Sequence, residues 1–170
     1  SLVEKLAKEK TATVLSAETK RKRVHPPKVY SLADIQAEAN RLYGFTAEET
    51  LAGCQALYEK HKVTSYPRTD SSYLPESQHA EAPGVLAAIA KTFPATARAV
   101  EKANPNLKSP VFNDKKVTAH HGIVPVAHTV DWSQLTDREQ KLYRLIAKRY
   151  IAQFFPVHEY DETVVKLALG

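Results

Sequence analysis

The chain has 170 residues, 43% of them hydrophobic, and a formal net charge of +5. A chain of this length buries about 70% of its unfolded surface, so it needs no staples to hold a core. The single cysteine, Cys54, excludes an intramolecular disulfide framework and a Cys-rich zinc site. No apolar run approaches the ~20 residues of a membrane helix, so no membrane partner is expected. The basic balance permits a polyanion partner without requiring one.

The chain opens on Ser1 without a leader pattern and contains no methionine, so it is expected to be an excised piece of a longer protein. Residues 2–10 read as the end of a helix. Residues 11–22, rich in Thr, Val and Ala with some alternation, read as a strand that His25-Pro26-Pro27 stops. Ser31 then opens a helix with Asp34 three residues on, a capping-box pattern. Its apolar stripe is Leu32, Ile35, Ala39 and Leu42, and Gly44 ends it. Thr46 with Glu49 caps the next helix, which runs to about His61 and turns Leu51, Cys54, Leu57 and Tyr58 inward.

Residues 62–66 form a short extended piece. A helix starts at Leu74-Pro75-Glu76, with a break at Pro83-Gly84 and a buried face of Val85, Leu86, Ile89 and Ala90. A shorter helix follows over 94–103, then a loop over 104–116 and an extended run over 117–125. Thr136 with Glu139 is a third capping box, and Leu142, Leu145, Ile146, Ile151 and Phe154 continue a helical stripe behind it. Residues 160–169 alternate and read as a second strand. The fold class is therefore mainly α. A tyrosine-bearing helical domain (26–156) lies between two terminal strand segments (1–25 and 157–170).

Charge falls into two clusters. Lys20, Arg21, Lys22, Arg23 and Lys28 form the first, and Lys141, Arg144, Lys148 and Arg149 share one helix at mostly i,i+3 and i,i+4 spacings. Each reads either as a DNA-facing patch or as a solvated surface.

The chemistry concentrates in Ser65-Tyr66-Pro67-Arg68-Thr69-Asp70-Ser71. The proline holds Tyr66 extended. A phenol is a poor nucleophile until it loses a proton, near pKa ~10 in free solution. The Arg68 guanidinium favours that loss and can grip phosphate oxygens with two parallel hydrogen bonds. The plain alternative is a tyrosine corner and a salt bridge in an ordinary loop. His120 and His121 are adjacent in an extended run, so they point to opposite faces and are not expected to share a metal.

Four segments, in order, carry a family resemblance. Val63-Thr64-Ser65-Tyr66-Pro67-Arg68-Thr69-Asp70-Ser71, with Tyr73-Leu74-Pro75 after it, resembles the active-site region of type IA DNA topoisomerases. Ala119-His120-His121-Gly122-Ile123-Val124-Pro125 resembles their histidine motif in the form of the topoisomerase III branch. Pro26-Pro27-Lys28-Val29-Tyr30-Ser31-Leu32 is similar to the entry to their active-site domain. Leu135-Thr136 through Tyr143, Leu145-Ile146 and Arg149-Tyr150 is similar to the helix that closes it. Gly122 and Val126 depart from the family's usual alanine and threonine.

The resemblance implies the following expectations. Tyr66 is the catalytic nucleophile, forming a transient 5′-phosphotyrosyl link to single-stranded DNA, and Arg68 stabilises the scissile phosphate. His120, Asp70 and Lys28 contact DNA or orient its contacts, with Asp70 directed at Arg68. The two terminal strands belong to a neighbouring arch domain. Mg²⁺ is expected on an acidic N-terminal domain of the full enzyme, a partner absent from this chain, and no metal is expected on the chain itself. Alone, the chain is then expected not to relax DNA. The expected setting is the bacterial cytoplasm, on nucleoid or plasmid DNA. Two alternatives are a non-catalytic helical module that binds single-stranded DNA, and a helical interaction domain in which Tyr66 and Arg68 are buried and satisfy each other.

Overall fold

A computed structural model describes residues 26–156. The expected helix end and strand before residue 26, the strand over 160–169 and the cations at 20–23 lie outside the described residues. Within them the fold is mainly α. Five helices follow one another: α1 (Leu32–Tyr43), α2 (Ala47–Glu59), α3 (Ala82–Thr92), α4 (Ala97–Lys102) and α5 (Asp137–Ala152). Single 3-10 turns lie at Glu76–Glu81, Pro94–Thr96, Asp114–Lys116 and Trp132–Gln134. Pro27–Phe155 is one compact unit.

All three capping boxes form. Ser31, Thr46 and Thr136 each accept from the backbone N–H three residues on, and Asp34, Glu49 and Glu139 reach back to the cap. Each box satisfies helix-end donors that would otherwise be orphaned, so the start of each helix is fixed by four residues. Gly44 closes α1 in the left-handed region at φ 74, where a side chain would be strained. The Pro83-Gly84 break falls where the 3-10 turn Glu76–Glu81 passes into α3, with proline in the helix's first turn.

The core gathers Ile35 and Ala39 from α1, Cys54 and Leu57 from α2, Leu86 and Ile89 from α3, and Leu142, Ile146 and Ile151 from α5. Phe93 and Trp132 stack at 4.4 Å, with planes 4° apart. Helices α2 and α5 meet closely at Gly53, where a Cβ would run into the Leu142 side chain. The end of α2 is also tied to the start of α5: His61 Nε2 and Glu139 Oε1 lie 3.0 Å apart and buried. The same oxygen accepts from the Thr136 N–H, so one carboxylate both caps α5 and docks α2.

Two expected stripe positions turn outward. Leu57 takes the centre of the buried face of α2, and Tyr58, about 100° further round the helix, is 37% exposed. Leu42, in the last turn of α1, is exposed, and the packed position there goes to Tyr43, whose ring lies 5.3 Å from Phe45. Helix α2 also stops at Glu59, two residues before the expected end.

The cations on α5 do not form a free strip. Lys141 pairs with Asp137 at 2.7 Å and lies over the Tyr43 ring. Arg144 lies over Phe93. Arg149 stacks 4.0 Å above Tyr30 and donates to the Lys28 carbonyl at 2.7 Å. Such cation–π contacts cover aromatic faces at modest energetic gain. Arg149 thereby holds the start of the unit, at Lys28 and Tyr30, against its last helix.

Candidate active site

The candidate site is built on loops, the part of a fold that most often carries chemistry. The segment over 122–126 runs between two others. On one side Ile123 pairs antiparallel with Tyr30, its N–H donating to the Tyr30 carbonyl at 2.8 Å. On the other side Thr64 pairs antiparallel with Pro125. There the Ser65 N–H donates to the Val124 carbonyl at 2.9 Å, and the Val126 N–H to the Val63 carbonyl at 3.1 Å. Ser65 doubles this bond: its hydroxyl donates to the Gly122 carbonyl at 3.2 Å and accepts from the Val124 N–H at 3.0 Å. Among the described residues these pairings are isolated bridges rather than a continuous sheet. They suffice to fix the histidine segment against the tyrosine segment.

Gly122 is required by this crossing. It is buried, and a Cβ there would run into Val29 Cγ2 and stand 3.2 Å from the Ser71 carbonyl oxygen. The departure from the family's usual alanine thus goes with a close approach of the chain entry at Val29.

The run after Tyr66 is sewn to the start of α1. The Leu32 N–H donates to the Thr69 carbonyl at 2.9 Å, the Ser71 N–H to Thr69 Oγ1, and the Ser72 hydroxyl to Asp34 Oδ2 at 3.0 Å. Asp34 therefore serves the capping box and anchors the loop at once. Burial by itself would raise its carboxyl; hydrogen bonds from Ser31 and Ser72 and the charge of Arg149 outweigh that and hold its pKa below the usual carboxylate value.

Tyr66 is half-buried, and its ring lies between two others. Tyr58 meets it edge-on at 5.4 Å and 74°. His120 lies against it at 4.7 Å and 40°. Two open clefts adjoin this cluster. The first, of about 680 Å³, takes its wall from Ser31 and Leu32 at the start of α1 and from Arg68, Asp70, Thr118 and His120. The second, of about 700 Å³, is lined by Tyr58, Lys62, Thr64, Tyr66 and His121. The adjacent histidines line different clefts, and the chain bends at Ala119 and His120 where an extended run was expected.

Arg68 and His120 are exposed, and among the described residues Arg68 makes no hydrogen bond or ion pair. Asp70 does not bond to Arg68 there; its Oδ1 accepts from the Thr118 hydroxyl at 3.0 Å. The Asp70 contact therefore orients the backbone leading to His120. His121 Nδ1 lies 2.7 Å from the Gly122 carbonyl. A carbonyl only accepts, so this nitrogen carries a hydrogen, and Nε2 has no partner among the described residues. Lys28 stands apart, with its ammonium over the Tyr73 ring at 5.2 Å, and it lines neither cleft.

Sequence reasoning missed Tyr58, Ser65 and Thr118. Tyr58 was hidden by the helical stripe, and the other two act through partners 48 to 59 residues away in sequence. Among the described residues no group of three or more His, Cys, Asp or Glu side chains is gathered to hold a metal ion. No helix among them is long and apolar enough to cross a membrane.

Comparison with known proteins shows the family. The DNA topoisomerase family matches residues 1–170. The DNA topoisomerase 3 of Vibrio cholerae serotype O1 is 42% identical over 151 residues, covering 89% of this chain and 23% of that protein. A DNA topoisomerase 3 of Bacillus cereus is 38% identical over 161 residues, 94% of this chain and 22% of that protein. The DNA topoisomerase 3 of Shouchella clausii is 40% identical over 169 residues, 98% of this chain and 23% of that protein. The chain thus spans under a quarter of the length of these relatives. With a match along its whole length and these relatives beside it, the chain belongs to the DNA topoisomerase family, in the type IA, topoisomerase III branch.

Proposed function

We propose that this chain carries the tyrosine with which a type IA topoisomerase opens and reseals one DNA strand. The observation that carries the reading is the Tyr66–His120 ring contact of 4.7 Å at the edge of a cleft lined by the exposed Arg68. The interaction-domain alternative required a buried, mutually satisfied Tyr66 and Arg68; an exposed Arg68 without a bond to Tyr66 speaks against it.

In this reading the Tyr66 phenol loses its proton and its oxygen attacks the scissile phosphorus. The bond from phosphorus to the 3′ oxygen breaks as the bond to the Tyr66 oxygen forms, and the 3′ oxygen takes up a proton. One ester replaces another, so the reverse attack by the 3′ hydroxyl reseals the strand without a nucleotide cofactor. Arg68 spreads positive charge over two phosphate oxygens, and His120 donates to the same phosphate or its neighbour. Asp70, through Thr118, sets the segment that carries His120. Lys28, over Tyr73, contacts the strand further from the reacting phosphate.

The metal belongs to the remainder of the enzyme: Mg²⁺ is assigned to an acidic N-terminal domain outside this chain. The chain alone is accordingly inactive in relaxation. Single-stranded DNA is its partner, on the nucleoid or plasmids of a bacterial cytoplasm.

Mass spectrometry tests the reading. The complete enzyme is trapped on a single-stranded oligonucleotide and digested, and a DNA adduct is expected on Tyr66. An adduct on another residue, or relaxation of an underwound plasmid that survives Tyr66→Phe, would sink the assignment. Binding of the oligonucleotide with steep salt dependence but no adduct would favour the non-catalytic module.

A further inference from the structure

Of the two clefts beside Tyr66, the reading above uses only the one that holds Arg68 and His120. The second has its own wall, which includes Tyr58, Glu59, Lys62, Tyr66 and His121, around about 700 Å³; the Glu59 carboxylate there accepts from Gln55 Nε2 at 2.8 Å. That volume is of the size that small ligands occupy, about 300–1,000 Å³.

Tyr58 and Lys62 bring exposed side chains to this cleft. Tyr58 is one of two large apolar side chains exposed among the described residues, and the edge contact with Tyr66 holds its ring in place. Single exposed aromatics are common; this one lies on the wall of a cleft beside the candidate nucleophile. Lys62 is the one non-glycine residue among those described with positive φ, at 58°. It is the left-handed residue at which the chain turns after α2, the Val63 N–H donating to the Leu57 carbonyl at 3.0 Å, and its exposed side chain lines the cleft.

An aromatic face, a cation and an imidazole are groups that recognise a nucleotide in a single strand. The ring stacks on the base, the cation takes a phosphate, and the imidazole meets base or sugar. A strand whose phosphate sits at the Tyr66 oxygen sends one flanking nucleotide to each side. The nucleotide that owns the transferred 5′ phosphate stays with the tyrosine after cleavage, so it must be seated next to the Tyr66 ring. The geometry points to the Tyr58 cleft as the subsite for that nucleotide, with Tyr58 as its stacking platform. This inference rests on Tyr66 being the nucleophile.

The test uses the 170-residue chain with Tyr66→Phe, which keeps the ring and removes the chemistry. The probe is a 5′-phosphorylated single-stranded trinucleotide with 2-aminopurine as its first base, read by fluorescence quenching. Saturable quenching is expected. Adding Tyr58→Leu weakens it about tenfold, the usual scale for loss of one base–aromatic stack. Tyr58→Phe retains it. Lys62→Gln lowers the slope of log affinity against log salt by about 0.7, one phosphate contact on a single strand, and keeps the proposal testable if Tyr58→Leu does not fold. Absence of quenching, or quenching that folded Tyr58→Leu leaves unchanged, overturns the subsite. Failure of the nucleophile assignment appears separately, as a missing Tyr66 adduct in the complete enzyme.

Discussion

The imidazole of His120 rests against the phenol ring of Tyr66, with centroids 4.7 Å apart and planes 40° apart. Neither residue is held there by its own neighbours in sequence. Tyr66 is placed by the Ser65 and Val63 bonds to 124–126, and His120 by the chain that enters that crossing from Thr118. The pair is therefore a product of one short junction, and the function proposed for it depends on that junction being rigid.

Tyr66→Phe removes one oxygen and leaves the contacts with Tyr58 and His120 in place. In the complete enzyme, strand cleavage is expected to fall below detection. The melting temperature is expected to stay within about 2 °C, the scale of a half-exposed substitution with small energetic effect. A larger drop in melting temperature would make the hydroxyl a structural group.

Arg68 is exposed and makes no bond among the described residues. Arg68→Lys keeps the charge and loses the planar fork. Cleavage by the complete enzyme is expected to fall about ten- to a hundredfold, somewhat less than deletion of a full charge-stabilising donor, with the melting curve unmoved. Cleavage at the wild-type rate would remove Arg68 from the site.

Ser65→Ala tests the junction itself. The buried hydroxyl bonds the Gly122 carbonyl and the Val124 N–H; alanine leaves the N–H without a partner among the described residues, while the carbonyl keeps His121 Nδ1. A loss of about 1–3 kcal/mol is expected in denaturant unfolding, with faster amide exchange at Val124. Unchanged stability and exchange would mean that the backbone pairings alone hold the crossing.

Cys54 is fully buried, and burial pushes its thiol up to about 12. The thiolate is the reactive form, so thiol reagents near neutral pH are expected to label the chain only after denaturation. Stoichiometric labelling of the native chain within minutes would contradict the packing of α2 against α5.

Asp34 carries a pH dependence of known sign. Its folded pKa lies below the unfolded value, so its contribution is complete above about pH 4 and is lost as pH falls through the folded value. The difference in melting temperature between wild type and Asp34→Asn is expected to be largest near neutrality and to shrink below about pH 4. A difference that stays constant across that window would remove the carboxylate from the stability of the α1 junction.

What the sequence determined by itself was local. The capping boxes at Ser31, Thr46 and Thr136, the left-handed stop at Gly44 and the buried stripe of α5 are legible because each depends on residues within about one helical turn. The tertiary structure decided the rest. It turned Tyr58 out of its helical stripe and onto Tyr66, and gave Asp70 to Thr118 rather than to Arg68. It also spent Arg149 on Tyr30 and Lys28, and brought His120 to the phenol. Apart from the Tyr58 contact, these relationships join segments 48 to 121 residues apart, and periodicity and capping carry no information at that range. They are set by which backbone groups find partners when the helices close on a common core, and here Ser65 and its neighbours pair with 122–126.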